Sequence, residues 1–522
     1  MLRTRLYADP SGLFLHDVIL ESCGKTPNKM ALADVTCGRR FSYADYGEAV
    51  EAIARGLVQA GLRPGEVVAI LLSNSWEFCV TYHAATLALG VPTLLNPSYR
   101  EREIRYQLEN SGAAVLISDA PLIGAINLSG LSSLRKVYTT RQPLPGTEGF
   151  ASLLHHRGGA LPPPSGDAAG TLAALPYSSG TTGLPKGVML SHTNLVANIY
   201  QFIGPDAAPL TADDIILCSL PLYHIFGLTV ALSVALTLGA TLVIMPRFET
   251  AQTMSVMVEE GVTMMPLVPP IMNAFCQAAE TGRFPKDHKV RWVKSGAAPL
   301  APELARRFTH LTGIPVNQGY GMTEASPVTH LGYMAPPEMN RPSSIGQPLC
   351  QTDCRILGAQ ENEVGAGESG ELVMRGPQFM MGYWKEPDAT AAALRDGWYW
   401  SGDIVNRDAD DFYYVLDRRK EMIKYKGFPV APAEVEAVLL EHPAVRDCGV
   451  IAKPDVAAGE IPCAFVVLRQ EVASSKKLDD ELRAFVAERL TSYKQPREIR
   501  FVDAVPRTPS GKILRRELRN QI

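Results

Sequence analysis

Hydroxyls, glycines and a single lysine crowd the stretch Tyr177-Ser178-Ser179-Gly180-Thr181-Thr182-Gly183-Leu184-Pro185-Lys186-Gly187-Val188. Side chains this short cannot build a core. Glycine lets the backbone approach an anion closely, and free N–H groups with flanking hydroxyls can surround phosphate oxygens. An apolar run from Leu172 to Tyr177 leads into the stretch, and Val188 to Leu190 leads out of it toward His192. An ordinary surface turn shares the glycine and serine content but rarely adds paired threonines and a lysine. The spacing fails the Walker A pattern, because Pro185 and Lys186 stand where Gly-Lys-Ser/Thr is required, so a P-loop nucleotidase is not implied.

A second stretch, Gln318-Gly319-Tyr320-Gly321-Met322-Thr323-Glu324, flanks an aromatic ring with glycines and ends on a carboxylate. Such a ring can lie against a nucleobase, and such a carboxylate is a hard oxygen ligand suited to Mg²⁺ carried on phosphate. A glycine-rich turn with a core tyrosine is the structural alternative. Trp400-Ser401-Gly402-Asp403 reads as the end of a turn, with Asp403 offering two acceptor oxygens to ribose hydroxyls. Arg418 follows Asp417 as a further ribose or phosphate ligand, or as half of a surface ion pair. His224 sits between apolar flanks in Leu220 to Leu228, which places it inside the protein. Neither a G-x-S-x-G elbow nor an H-E-x-x-H pair is present, so hydrolase and zinc-protease mechanisms lack support.

The elements that must hold these residues alternate. Helices are expected over 43–60, 76–89 and 101–110, with strands at 67–72, 91–95 and 113–117, a β-α-β pattern of buried parallel strands. The alternation resumes after the phosphate-like loop, with strands at 214–219, 240–245, 263–267 and 290–294 and helices at 227–237, 251–260 and 271–279. Past Thr329 short extended pieces at 353–357, 370–374 and 412–415 indicate a small β-rich unit. The chain from 418 onward reads as a compact α+β domain. The fold class is therefore α/β: a large N-terminal lobe over 1–417, with α/β subdomains of about 1–170 and 171–329 and a β-rich part at 330–417, followed by a C-terminal domain at 418–522.

Composition narrows the function classes. The 522 residues carry 46% hydrophobic and 20% charged side chains and a net charge of −4, which gives no electrostatic reason to expect nucleic acid. Nine dispersed cysteines lack metal-finger spacing and read as reduced thiols. The apolar stretch 228–245 is broken by Ser233, Thr237 and Gly239, so no transmembrane segment and a cytoplasmic location are expected; a homodimer is left open.

In order along nearly the whole chain, these pieces resemble the adenylate-forming superfamily of acyl- and aryl-CoA synthetases, with a 4-coumarate–CoA-ligase-like cast. Tyr177 to Val188 matches its phosphate signature, Gln318 to Glu324 its Q-G-Y-G-x-T-E block, and Trp400 to Asp403 its Y/W-x-G-D motif with serine in place of threonine. Asp417 to Lys424, Lys426-Gly427 and Pro509-Ser510-Gly511-Lys512 match its hinge, K-G turn and terminal P-x-G-K. The resemblance implies ATP, Mg²⁺ and coenzyme A, with acyl-AMP formed first and the thioester second. It implies that Ser178, Ser179, Gly180, Thr181, Thr182, Gly183 and Lys186 hold phosphate, and that Gln318, Gly319, Tyr320, Gly321 and Thr323 face the nucleotide. It also implies that Glu324 binds Mg²⁺, that Asp403 and Arg418 hold ribose, and that Lys512 reaches the α-phosphate and the substrate carboxylate. Asp417 and Lys420 would form the hinge that withdraws Lys512 and brings Lys426-Gly427 toward a pantetheine tunnel beside His224.

By the same resemblance the acyl pocket is lined by His224, Phe226, Val230, Gly296, Ala297, Ala298, Gly319, Gly321, Pro327 and Val328. Its apolar character suits a hydrophobic carboxylic acid, and a medium- or long-chain fatty acid is favoured. The alternatives are an aryl or 4-coumarate-type acid, weakened because Phe226 replaces a tyrosine frequent in plant 4-coumarate ligases, and an acyl-AMP ligase that loads a carrier protein. A luciferase or a nonenzymatic nucleotide-binding module would leave Glu324, Asp403 and Lys512 without a joint purpose.

Overall fold

The computed structural model describes residues 5–522 except 157, 165, 179–184, 206, 333–340, 427, 457 and 509–510. Ser179, Gly180, Thr181, Thr182, Gly183 and Gly427 therefore lie outside the described residues, as do Pro509 and Ser510.

Two parallel sheets form the body. One has five strands in the order Val91–Leu94, Val67–Leu71, Val115–Ser118, Lys136–Thr139 and Glu148–Gly149. Val67 to Leu71 are buried throughout, as expected where helices cover both faces, and each such side chain contributes roughly 1.5–3 kcal/mol. The flanking helix Tyr43–Gln59 starts where the Ser42 hydroxyl accepts from the Asp45 N–H and the Asp45 carboxylate accepts from the Ser42 N–H. The helix Glu101–Ser111 stops at Gly112, whose φ of 70° suits the left-handed cap.

The other sheet has nine strands, and its parallel centre runs Met30–Asp34, Thr241–Ile244, Ile215–Cys218, Met264–Leu267, Trp292–Ser295, Val316–Gly321. Antiparallel Arg39–Ser42 closes one edge; Val328–Leu331 and Gln347–Pro348 close the other. Strands from both sides of residue 170 thus share this sheet. Ligand sites in open α/β sheets gather beyond the carboxyl ends of the parallel strands. Here those ends lead into Leu220 to His224, Val268 to Pro270, Gly296 to Ala298 and Gly319 to Gly321.

Lys186–Ser191 runs as a strand between Gly382–Tyr383 and Leu172–Ala174. Antiparallel strands Asp353–Leu357, Gly370–Arg375, Trp398–Arg407 and Tyr413–Arg418 make a separate small sheet. The C-terminal part has its own sheet, in which Val445–Asp455 and Gly459–Leu468 are the long pair. Its apolar residues from Ile423 to Leu518 form their own clusters. Among the described residues no helix is long and apolar enough to cross a membrane.

Three local expectations need correction. Trp400 to Asp403 lies within the strand Trp398–Arg407 rather than at a turn; Gly402, at φ 71°, supplies an irregularity inside it. Gln318 to Gly321 is strand, and only Thr323–Ala325 turns helically. The helix expected from Gly227 opens as a π-helix, Gly227–Ser233, before its α-helical end. Gly227 is required there, since an added Cβ would sit 2.7 Å from the Pro221 carbonyl oxygen.

Candidate active site

Strand pairing sets Asp403 opposite Arg418, and the Arg418 Nε lies 3.1 Å from the Asp403 carboxylate. The Tyr320 hydroxyl donates to the other oxygen of Asp403 at 2.5 Å. Burial and then the Asp403 charge push the Tyr320 phenol up, so it remains a donor. Burial opposes the Arg418 charge, yet Asp403 holds the guanidinium above its ordinary value. An aromatic ring, a carboxylate and a guanidinium, each fixed by another, make a rigid frame for a nucleoside.

Next to it, Glu324 is buried, with 8% exposure. The Ser178 hydroxyl donates to its Oε1 at 3.2 Å and the Tyr383 hydroxyl donates to the same oxygen at 2.9 Å. Among the described residues no hydrogen bond reaches Oε2. A buried carboxylate with one oxygen saturated and the other unclaimed fits a hard divalent cation, so Glu324 would hold Mg²⁺ here. The Lys186 ammonium stands 5.4 Å from the centre of the Tyr383 ring, across the strand pair joining Val188 to Tyr383. Thr323 opens the short helix that carries Glu324.

The acyl side is built differently. The ring of Phe226 occupies the space over Gly296, where an added Cβ would meet its Cζ at 2.9 Å. At Gly321 a Cβ would lie 2.0 Å from the Pro327 carbonyl oxygen, so only glycine permits the strand to pass. Ala297 sits at φ 65°, Val328 is buried in the neighbouring strand, and Ala298 is half-buried. Val230 is fully buried one helical turn beyond Phe226. Gln318 works from behind this wall: its Oε1 accepts from the Leu300 N–H and its Nε2 donates to the Ser344 carbonyl.

His224 accepts the Phe226 N–H on Nδ1 at 3.2 Å. Burial, and then the charge of Lys512, draw its pKa down to about 4, so the imidazole is neutral at pH 7. Lys512 itself is pulled below its ordinary value by burial and by Arg418, against the attraction of Glu421, Asp403 and Glu324. The chain at Gly511 and Lys512 is thus folded into the same cleft. Gly511, at φ 84°, packs so closely that a Cβ would lie 3.1 Å from Pro270 of the large lobe.

The residues expected at the hinge are tied in as well. Asp417 accepts the Ala433 N–H at 2.9 Å, where the helix Pro432–Leu440 begins. Burial raises the Asp417 pKa to about 6. Lys420 is exposed. Lys426 is held away from the cluster, with its N–H donating to the Ala458 carbonyl and its ammonium 5.7 Å from the Tyr425 ring.

Two residues escape sequence reasoning. Lys294 has 2% exposure in the strand that ends at Gly296, and its Cδ lies 3.5 Å from where a Gly319 Cβ would stand. Burial alone draws its proton affinity well below the usual value. No carboxylate among the described residues pairs with it, and its ammonium is 5.6 Å from the Trp292 ring centre. A lysine inside an otherwise apolar strand was the available signal. Tyr383 is the other, and its separation of 59 residues from Glu324 hid it.

The chain matches the AMP-binding enzyme family over residues 19–384 and the AMP-binding enzyme C-terminal domain over 434–512. It is 38% identical to 4-coumarate–CoA ligase 5 of Oryza sativa subsp. japonica, over 100% of this chain and 97% of that one. An anthranilate–CoA ligase in complex with anthranoyl-AMP superposes with a TM-score of 0.89 at 25% identity, covering 99% of this chain and 98% of that one. An ATP-bound MatB from Rhodopseudomonas palustris superposes with a TM-score of 0.87 at 27% identity, covering 98% and 99% respectively. Likeness of this extent across both lobes means that the chain belongs to the AMP-binding, adenylate-forming family and is an AMP-forming acid–CoA ligase dependent on ATP, Mg²⁺ and coenzyme A.

Proposed function

We propose that the acid joined to coenzyme A is aromatic and carries an oxygen at the end remote from its carboxylate, as a hydroxycinnamate does. The observation that carries this reading is Lys294. An amine with no acidic partner among the described residues, buried beside Gly319, loses hydration that a hydrocarbon tail would not replace, whereas a phenol or carbonyl oxygen would accept its hydrogen bond. The Phe226 ring over Gly296 offers a flat face to a second ring. The first reading from sequence, a medium- or long-chain fatty acid, draws on the apolar lining and on Phe226. The rice relative is named for 4-coumarate and the superposed ligase for anthranilate, which supports the aromatic choice.

In the first step a carboxylate oxygen attacks the α-phosphorus of ATP and the bond to pyrophosphate breaks. Tyr320 lies on the adenine, Asp403 and Arg418 hold the ribose, and Lys186 meets the outer phosphates. Lys512 stands between two groups that repel each other and stabilises the charge that gathers on the five-coordinate phosphorus. Glu324 would hold Mg²⁺, which when bound would neutralise further phosphate charge. The C-terminal domain then pivots at Asp417 and Lys420, withdrawing Lys512 and bringing in Lys426. The coenzyme A sulfur attacks the acyl carbon and AMP leaves. Neutral His224 borders the thiol path. The alternation keeps water from the adenylate while pyrophosphate departs.

The test measures pyrophosphate release and thioester mass with 4-hydroxycinnamate, cinnamate, octanoate and palmitate. We expect kcat/KM for 4-hydroxycinnamate to exceed that for cinnamate by about 10-fold or more. Preferred turnover of octanoate or palmitate would overturn the aromatic reading and restore the fatty-acid one.

A further inference from the structure

We infer that Tyr383 is a positioning residue that sets the Glu324 carboxylate and the Lys186 ammonium in register with each other. The inference rests on the reading of Glu324 as the Mg²⁺ ligand and extends it to a residue outside the sequence motifs.

Three observations meet at this side chain. Its hydroxyl donates to Glu324 Oε1 at 2.9 Å, beside the Ser178 hydroxyl on the same oxygen. The face of its ring lies 5.4 Å from the Lys186 ammonium, close enough for a cation–π attraction. The Tyr399 phenol, on the strand that also carries Asp403, stands near enough to interact with it electrostatically. One phenol therefore touches the residue proposed for the metal, the lysine that closes the phosphate loop and the strand of the ribose clamp.

The backbone is fixed to match. The Tyr383 N–H donates to the Thr390 hydroxyl at 2.8 Å, and the Trp384 N–H donates to the Gly187 carbonyl, also at 2.8 Å. At Gly382 a Cβ would meet Thr390 Cγ2 at 2.8 Å, so the chain approaches its neighbour at a distance that only glycine allows. Trp384 is anchored in turn, with Nε1 donating to the Asn110 carbonyl at 3.0 Å. A phenol held this rigidly directs a carboxylate: with both hydroxyls on Oε1, the oxygen left for a cation is Oε2.

The experiment uses the full chain and the variants Tyr383→Phe, Tyr383→Leu and Glu324→Gln. Mn²⁺ binding in the presence of ATP is read by electron paramagnetic resonance, and pyrophosphate release is titrated with Mg²⁺. Y383F keeps the ring and loses the hydroxyl. We expect its metal affinity to fall about 10-fold, with KM for the acid unchanged and the ligand-free melting temperature retained. Y383L also loses the ring face, and KM for ATP rises several-fold in addition. Wild-type metal affinity in a folded Y383F, while E324Q weakens binding, would overturn the role of Tyr383 alone. Wild-type metal affinity in E324Q would overturn the reading of Glu324 on which it rests.

Discussion

The two walls of the cleft are built on opposite rules. On the side proposed for the nucleotide Tyr320, Asp403 and Arg418 bind one another, and Glu324 is held by Ser178 and Tyr383. On the acyl side the wall is mostly absence of side chain, at Gly296, Gly319 and Gly321, with one buried amine, Lys294, that no carboxylate among the described residues pairs with. A ligand of constant shape and charge is best met by groups already paired and immobile, since ordering them costs nothing at the moment of binding. A ligand chosen among similar acids is met by shaped space and one polar group whose satisfaction depends on the right partner.

The contrast breaks most severely where both walls meet. Lys512→Ala should lower the burst of pyrophosphate release on the order of 10²-fold or more, while the thermal shift on adding MgATP persists. An unchanged burst would remove Lys512 from the chemistry. Gly321→Ala should cost about 10²-fold in kcat, because the strand must move away from the Pro327 carbonyl it nearly touches and the reacting atoms move with it. Turnover near wild type would show that the wall yields.

Smaller effects sharpen the difference. Lys294→Met should erase the preference for 4-hydroxycinnamate over cinnamate, about 10-fold, and leave KM for ATP as it was. A rise in KM for ATP without loss of discrimination would move Lys294 off the acyl side. Outside both walls, the buried imidazoles of His83 and His192 have pKa values drawn down to about 3 by burial, with His16 adding to the effect. The unfolded chain takes up protons below about pH 6.5 that these folded residues refuse. Their contribution is therefore complete above that pH and is lost as pH falls toward 3, about 2 kcal/mol for each by pH 5. Urea midpoints at pH 7 and pH 5 should differ accordingly; equal midpoints would show these residues accepting protons in the folded state.

Much of the fold was legible because its signals are local. The apolar run beginning at Val67 and the helical period beginning at Tyr43 coincide with a strand and a helix. The segment Leu15–Lys25 and the hairpin of Met30–Asp34 with Arg39–Ser42 escaped, since short mixed stretches carry little periodicity. Trp400 to Asp403 looked like a turn because glycine and serine usually mark one, yet the pairing of Gly370–Arg375 and Tyr413–Arg418 with its strand overrode that preference.

The order and chemistry of the motifs, the alternation of strands and helices and the family were determined by sequence alone, because each depends on residues a few positions apart. The tertiary structure decided which groups meet. Ser178 and Glu324 are 146 residues apart, and Tyr320 and Asp403 are 83 apart. Gly511 reaches Pro270 across two lobes. Neither the burial of Lys294 nor the twofold grip of Tyr383 is a property of residue type. Both arise from which strand ends converge, and that depends on packing over the whole chain.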